Sequence, residues 1–221
     1  GLAYPLIRTQ QKNLSIGAGF DYVNQKTEFF GPLSRDRLRI AWLRADFDAV
    51  DLKSRRPGWR AGGTLELRKG LDILNASEKC PLGGCPGNAT PQARIEGRPT
   101  AMLVRFTGAA ELALGRTFSI ALNPRLQYSF DKLLPFEQFT AGNYTVGRGY
   151  DPGTLTGDSG AGLSAELRGP RMTPFRRLPV QLQPFVFGDA AWTWTRGRYS
   201  DPKRLVSAGG GVRGLISDRA A

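Results

Sequence analysis

Side chains that could carry out covalent chemistry are scarce in this sequence, because it contains no histidine. Without histidine there is no base for a Ser-His-Asp or Cys-His nucleophile and no imidazole to bind a metal. Residues 157–160 (GDSG) match the nucleophile segment of chymotrypsin-like proteases, but without a base we interpret them as a loop-to-strand junction. We therefore predict a protein that is not an enzyme and that uses no metal and no cofactor.

Cys80 and Cys85 are the only two cysteines of the chain. Two thiols without histidine cannot complete a Cys₂His₂ or Cys₄ zinc site. They lie close together in a segment rich in glycine and proline, where we expect a loop exposed outside any reducing compartment. Such a pair is expected to oxidise, so we predict a short loop disulfide.

The chain is strongly basic, with 31 lysine and arginine residues against 19 aspartate and glutamate residues and a net charge of +12. A protein that binds nucleic acid would gather these cations in one stripe or tail. Here arginines and carboxylates are interleaved along the same segments. The arginines are Arg60, Arg68, Arg105, Arg125 and Arg168, and the acidic residues are Glu66, Glu111, Glu166, Asp131 and Asp189. We expect a strand face of mixed charge and no nucleic-acid partner.

The elements that carry these residues are predicted by an alternation of apolar and polar residues along the chain. Period two over segments of about ten residues indicates β-strands. The clearest segments are 14–22, 59–68, 104–112, 118–131 and 182–194. The segment 38–50 changes phase near Trp42 and Leu43, which we interpret as a β-bulge.

Strands of this length favour a transmembrane barrel over a soluble sandwich, whose strands usually have about five or six residues. A bacterial barrel turns its apolar face to lipid, encloses a polar lumen and joins its strands by short periplasmic turns and longer surface loops. Aromatic residues near strand ends fit this class: Tyr128, Phe130, Trp192 and Trp194. We expect short turns at 8–13, 51–58 and 114–117, and longer loops at 27–37, 75–99, 134–159 and 196–204. The predicted fold is an all-β, antiparallel transmembrane β-barrel.

Residues 135–170 resemble the long sixth surface loop and following strand of the outer-membrane transporters of two-partner secretion. This is the TpsB or ShlB/FhaC/HecB hemolysin secretion/activation family, in the superfamily of the barrel-assembly protein BamA. Its [VI]RG[YF] loop motif is matched by Gly147, Arg148, Gly149 and Tyr150, with Gly147 in place of a branched apolar residue. Its [FG]xDxG strand motif is matched by residues 187–191 (FGDAA), with Ala191 in place of glycine.

The resemblance covers essentially residues 1–221 and implies one partial barrel domain of about nine among about sixteen strands. The periplasmic POTRA domains and the terminal strands of the family would lie outside these residues. It also implies a monomeric barrel in the bacterial outer membrane, surrounded by lipid, that secretes an unfolded TpsA-like exoprotein of the hemolysin or adhesin type. Two alternatives stay open: a BamA-like assembly factor for outer-membrane proteins, and a passive porin-type channel.

The resemblance implies in addition that residues 138–159 form a surface loop that folds into the pore with Arg148 near its tip. Alternation places Asp189 and Glu166 on the lumen face, and a loop of this length can reach them. A guanidinium binds carboxylates through paired hydrogen bonds. We therefore expect Arg148 to bind Asp189, with Glu166 and Phe187 beside them, and to hold the loop in a secretion-competent shape. The alternative is an ordinary exposed arginine in a turn.

Overall fold

The structure, a computed structural model, describes residues 1–52, 58–80, 85, 90–142, 146–174, 180–197 and 203–216. These residues form a nine-stranded antiparallel sheet and a small two-stranded sheet. The strands are β1 (Leu2–Arg8), β2 (Lys12–Glu28), β3 (Pro32–Val50), β4 (Trp59–Gly70), β5 (Met102–Leu114), β6 (Phe118–Ser129), β7 (Phe139–Ala141), β8 (Leu155–Gly157), β9 (Ser159–Arg168), β10 (Val180–Trp194) and β11 (Lys203–Ile216). The all-β, antiparallel arrangement predicted from the alternation is confirmed.

The large sheet follows the chain, in the order β1-β2-β3-β4-β5-β6-β9-β10-β11. The two short strands β7 and β8 pair with each other inside the connection between β6 and β9. We call this connection, residues 130–158, the long loop. In the part of the chain that the structure describes, β1 and β11 are the two edges of the sheet, and no helix could cross a lipid bilayer.

The two faces of the large sheet differ in polarity. One face, the outer face, exposes large apolar side chains along every part of the sheet, among them Leu65, Leu126, Val186, Trp192 and Val206. The opposite face, the inner face, carries arginines and carboxylates and is covered in part by the long loop. Because successive side chains of a strand point to opposite faces, the period-two pattern of the sequence corresponds to these two surfaces.

The β-bulge predicted at Trp42 and Leu43 is wrong. The pairing of β3 with both of its neighbours runs through these residues without a shift. The pattern changes because Leu38 and Ile40, on the inner face, are buried against Leu134 of the long loop. The inner face is therefore apolar where the loop covers it and polar further along the same strand, without any change of register.

The long loop predicted at 27–37 is also wrong. The strands β2 and β3 have 17 and 19 residues and leave only residues 29–31 between them. Phe30 adopts a φ of +50° and Gly31 a φ of +156°, so the chain reverses within this turn. The connections 71–101 and 130–158 are long and those at 9–11 and 115–117 are short, as predicted. Parts of the predicted connections 51–58 and 196–204 lie outside the described residues.

Cys80 and Cys85 form a disulfide within the connection between β4 and β5. Within the described part of the chain, no group of three or more acidic or cysteine side chains is arranged to hold a metal ion. The same connection reaches the long loop through Arg94, which donates a hydrogen bond of 2.6 Å to the carbonyl oxygen of Leu133. The disulfide therefore belongs to a segment that packs beside the long loop.

Candidate functional site

The long loop lies along the inner face of β9, at positions occupied by small residues. Phe139 lies over Gly160, where a Cβ atom would collide with the phenyl ring. Val146 lies over Gly162, whose added Cβ would be 3.2 Å from a methyl group of the valine. Because side chains of a strand alternate between faces, these two glycines leave a groove along one face of β9. The loop fills it.

An apolar cluster holds the tip of the long loop against β10 and β11. It consists of Phe139, Ala141, Val146, Leu155, Ala191 and Leu205, all buried. Ala191, which stands where the family motif has glycine, is 0 % exposed, and its methyl group contributes to this cluster. Gly147 adopts a φ of +101° beside Leu205, which only glycine tolerates readily. Val146, one position earlier, supplies the branched apolar residue that the loop motif lacks at Gly147.

Asp189 binds both the side chain and the backbone of the loop tip. Its Oδ2 accepts hydrogen bonds from the backbone nitrogen of Arg148 at 2.8 Å, from Arg148 Nε at 3.2 Å and from the backbone nitrogen of Gly147 at 3.2 Å. Its Oδ1 accepts a further bond from Arg148 Nη2 at 3.1 Å. Asp189 is 2 % exposed, and apart from a longer bond of 3.4 Å from Ser207 Oγ it depends on the loop for these hydrogen bonds.

The guanidinium of Arg148 uses all three of its nitrogens. Besides Asp189, it donates to Glu166 Oε2 from Nη1 at 2.9 Å and to Ser164 Oγ from Nη2 at 2.9 Å. Its carbon lies 3.7 Å from the ring centre of Phe187, which is within range of a cation–π contact. We call these five residues the Arg148 cluster: Arg148, Ser164, Glu166, Phe187 and Asp189.

Two carboxylates balance the charge of the Arg148 guanidinium. Burial alone would lower the pKa of Arg148, but the hydrogen bonds to Asp189 and Glu166 outweigh it and raise the pKa above its ordinary value. Glu166 also accepts hydrogen bonds from Arg168 at 2.7 Å and from Arg213 at 2.9 Å, both at Oε1. The inner face thus supplies two carboxylates to one loop cation, and further arginines balance Glu166.

Glycines on β11 make room for the aromatic part of the cluster. A Cβ atom on Gly209 would lie 2.9 Å from the ring of Phe187, so the ring covers this glycine. On the other side of the tip, the hydroxyl of Tyr150 donates to the carbonyl oxygen of Val206 at 3.0 Å. Gly149, between Arg148 and Tyr150, adopts a φ of +96°. The structure therefore brings Gly147 and Arg148 to the inner face of β10, while Tyr150 binds the backbone of β11 and stays exposed.

A second group of charges attaches the base of the long loop to the opposite part of the sheet. Glu137, in a short 3₁₀ helix, accepts two hydrogen bonds from Arg68 of β4, from Nε at 2.9 Å and from Nη2 at 3.0 Å. Arg68 also donates to Asp21 at 2.7 Å and to Glu66 at 2.9 Å. Arg68 and Glu137 are both buried. The sequence analysis placed Arg68 on the polar strand face but did not identify Glu137.

A third group lies where the long loop meets β9. Asp158 is 0 % exposed and forms an ion pair with Arg94. It also accepts hydrogen bonds from the backbone nitrogens of Leu133 at 2.9 Å and Arg196 at 2.7 Å. This aspartate therefore joins three surface connections. Sequence reasoning treated it only as part of a junction, because nothing in its immediate neighbours indicates the distant arginine.

The sequence was compared with protein families and the structure with solved structures. A family model described as "Haemolysin secretion/activation protein ShlB/FhaC/HecB" matches residues 1–214. Comparison with curated proteins gave no match. The structure is similar to CdiB from Escherichia coli, with a TM-score of 0.76 and 15% identity over 97% of this chain. It is also similar to CdiB from Acinetobacter baumannii, with a TM-score of 0.66 and 19% identity over 96% of this chain.

These matches concern a part of a larger architecture. The chain corresponds to 38% of the Escherichia coli structure and 34% of the Acinetobacter baumannii structure. At these identities the likeness is one of fold. It confirms the predicted class, part of an antiparallel transmembrane β-barrel, and the family match confirms the resemblance noted in the loop and strand motifs.

Proposed function

Because the chain belongs to the ShlB/FhaC/HecB family of haemolysin secretion/activation proteins, we propose that it forms part of a two-partner secretion transporter. The transporter passes an unfolded exoprotein, of the hemolysin or adhesin type, across the bacterial outer membrane. The whole protein is a monomeric barrel surrounded by lipid, and its work is transport rather than catalysis. The outer face supports this proposal, since exposed apolar side chains such as Val186 and Trp192 suit contact with lipid.

The observation that carries the proposal is the position of the long loop on the inner face, where Arg148 meets Asp189. In the complete barrel this face lines the lumen, so the loop shapes the passage. We propose that the Arg148 cluster holds the loop tip in the conformation that permits secretion. Asp189 is suited to this role because it binds the loop backbone and the guanidinium at the same time. A buried charge that loses its partner costs about 3–5 kcal/mol.

The part of the inner face that the loop does not cover is suited to a water-filled passage. Near the ends of β3, β5 and β6 a cavity of about 390 Å³ is lined by Asp48, Glu111 and Asn123 together with small residues such as Ala109 and Ala121. Polar groups of both signs next to small side chains leave room for water and for an extended chain. The exoprotein would move through this space, with its folding outside the cell biasing the direction.

A secretion assay tests the proposed function. The full-length gene is expressed in a Gram-negative host together with a neighbouring exoprotein gene, and the exoprotein is measured in the medium and in the periplasm. We expect the exoprotein in the medium only when the transporter is present. If the exoprotein stays in the periplasm while ions pass through the purified protein, the protein is a passive channel. If the abundance of other outer-membrane barrels falls when the gene is deleted, it is an assembly factor.

A further inference from the structure

A second cavity of the inner face lies under the long loop, away from the Arg148 cluster. Its volume is about 210 Å³, and it is lined by β5, by β6 and by Phe136, Gln138, Phe139 and Thr140 of the long loop. The polar side chains that line it are Arg105, Thr107, Arg125, Gln127, Gln138 and Thr140. Of the described residues that line this cavity, two are cationic and none is a carboxylate. This charge distribution differs from that of the rest of the inner face.

Arg125 differs from the other arginines of the inner face in having an unused buried donor. Its Nη1 is buried and has no hydrogen-bond partner among the described residues. By contrast, Arg60 pairs with Glu111, and Arg68 pairs with Glu137. The nearest aromatic contact of Arg125 is Phe139, whose ring centre is 5.6 Å from the guanidinium carbon. A buried donor without a partner is destabilising, and more so when it is charged.

Arg105 places a second positive charge beside Arg125. The strand register pairs Arg125 with Thr107, two positions along β5 from Arg105, so both side chains share the inner face. Arg105 donates to Gln127 at 3.0 Å, and its distance to the Glu137 carboxylate is 3.8 Å. Glu137 partly balances the charge of Arg105, whereas Arg125 has no ion pair among the described residues, so the two guanidinium groups repel each other unless a further anion lies between them. The hydroxyl groups of Thr107 and Thr140 and the amide group of Gln138 line the same cavity.

We propose that Arg105 and Arg125 form a binding site for an oxyanion, either a carboxylate or an inorganic anion such as phosphate. Arginine binds planar and tetrahedral oxyanions through paired N–H donors, and the cavity has room for one such group. Within an extended polypeptide in the lumen, the same chemistry is provided by a glutamate or aspartate side chain. The site shares no side chain with the Arg148 cluster, although loop residues such as Phe139 form part of its wall.

Binding is measured on the full-length protein in detergent, by the rise of its unfolding temperature as a probe is added at constant ionic strength. The probes are inorganic phosphate against chloride, and the peptide Gly-Glu-Gly against Gly-Gln-Gly. Arg125→Gln is expected to weaken the apparent affinity by about tenfold or more. Arg125→Lys, which keeps the charge but loses the paired donors, weakens it less. The matched control is Arg60→Gln, which removes an inner-face arginine that pairs with Glu111 and does not line this cavity.

The two probes distinguish the sources of the anion. A saturable effect of phosphate alone supports a site for free inorganic anions, and a saturable effect of Gly-Glu-Gly alone supports a site for polypeptide carboxylates. An effect of both supports a general oxyanion site. The proposal is overturned if neither probe gives a saturable effect, or if Arg125→Gln and Arg60→Gln change it equally. Should Arg125→Gln fail to fold, Arg105→Gln and Arg125→Lys are measured in its place.

Discussion

Among the single residues of the inner face, Asp189 is distinguished by the number of loop groups that it binds. It accepts hydrogen bonds from two backbone nitrogens of the tip and from two nitrogens of the Arg148 guanidinium. Glu166, in comparison, shares its carboxylate between Arg148, Arg168 and Arg213. Loss of Asp189 would therefore release the tip of the loop, whereas loss of Glu166 would leave part of the network in place.

Asp189→Asn removes this charge while keeping the size of the side chain. Because Arg148 then keeps only one carboxylate partner, Glu166, and the loop tip loses its charged acceptor, we expect secretion of the exoprotein to fall by about tenfold or more. The barrel itself should still assemble, as checked by its heat-modifiable migration on a gel. Asp46→Asn is the control, since Asp46 lies on the inner face of β3 and pairs with Arg44, away from the Arg148 cluster. Equal secretion by both variants would contradict the role given to Asp189.

Phe187→Leu tests the aromatic contact of the cluster. Loss of the ring under the Arg148 guanidinium is expected to cost about 0.5–2 kcal/mol of the free energy of unfolding. A double-mutant cycle with Arg148→Gln separates this contact from the loss of packing against Gly209. In the Arg148→Gln background the contact is already absent, so Phe187→Leu removes only the packing. Additive effects of the two substitutions would show that the ring and the guanidinium are not coupled.

The strand residues that meet at Arg148 could be placed from the sequence, because the period of a strand fixes the face of each side chain. Asp189, Glu166 and Phe187 were assigned in this way. Glu137 and Asp158 were not, because they lie in or beside a loop that has no period. Their partners Arg68 and Arg94 are 69 and 64 residues away in the chain. Such contacts follow from the packed fold and not from local pattern.

At the level of elements, β9 is built to receive the long loop. Its inner positions run from Gly160 and Gly162 to Ser164 and Glu166, so it changes from a groove to a set of hydrogen-bond acceptors. Alternation predicted β9 and its two faces. It could not predict that the long loop packs on the glycines of β9, because a small residue on a polar face does not indicate which segment contacts it. The same limit explains the wrong bulge in β3, where the loop changes the polarity of one face.

Gly160→Ala tests the groove. The added methyl group would collide with the Phe139 ring, and overpacking of this kind costs about 1–3 kcal/mol. We expect faster proteolysis of the long loop in the folded protein and reduced secretion. The control is Gly188→Ala on β10, where an added Cβ meets nothing within 4 Å. If the two alanine variants are digested at the same rate, the groove does not hold the loop.

The ion pair between Glu137 and Arg68 attaches the loop base independently of its tip. Removing one partner leaves a buried charge, so Glu137→Gln and Arg68→Gln are each expected to lower the free energy of unfolding by about 3–5 kcal/mol. The double variant should lose less than the sum of the two, by about 0.5–3 kcal/mol. The measurement is chemical denaturation of the full-length protein in detergent. Strict additivity would mean that the pair is not coupled.

At the scale of the whole molecule, the long loop is attached at three separated places. Its base binds Arg68 on β4, its tip binds Asp189 on β10, and its end binds Arg94 through Asp158. These contacts extend across the sheet from β4 to the connections beyond β10. The loop is therefore held to the inner face at both sides of the sheet. The order of the strands and the fold class could be predicted from alternation. The three attachments of the loop could not, because they form only when the folded sheet brings distant residues to the loop.

A covalent tether in place of the ion pair tests the central claim most directly, namely that Arg148 serves to hold the loop. A Cβ on Gly162 would lie 3.5 Å from the Cβ of Val146, within the range of about 3.5–4.5 Å for disulfides, so Val146→Cys with Gly162→Cys can be joined by oxidation. In the Arg148→Ala background, we expect little secretion when the pair is reduced and restored secretion when it is oxidised. Full secretion by Arg148→Ala without the tether, or none with it, would contradict the account.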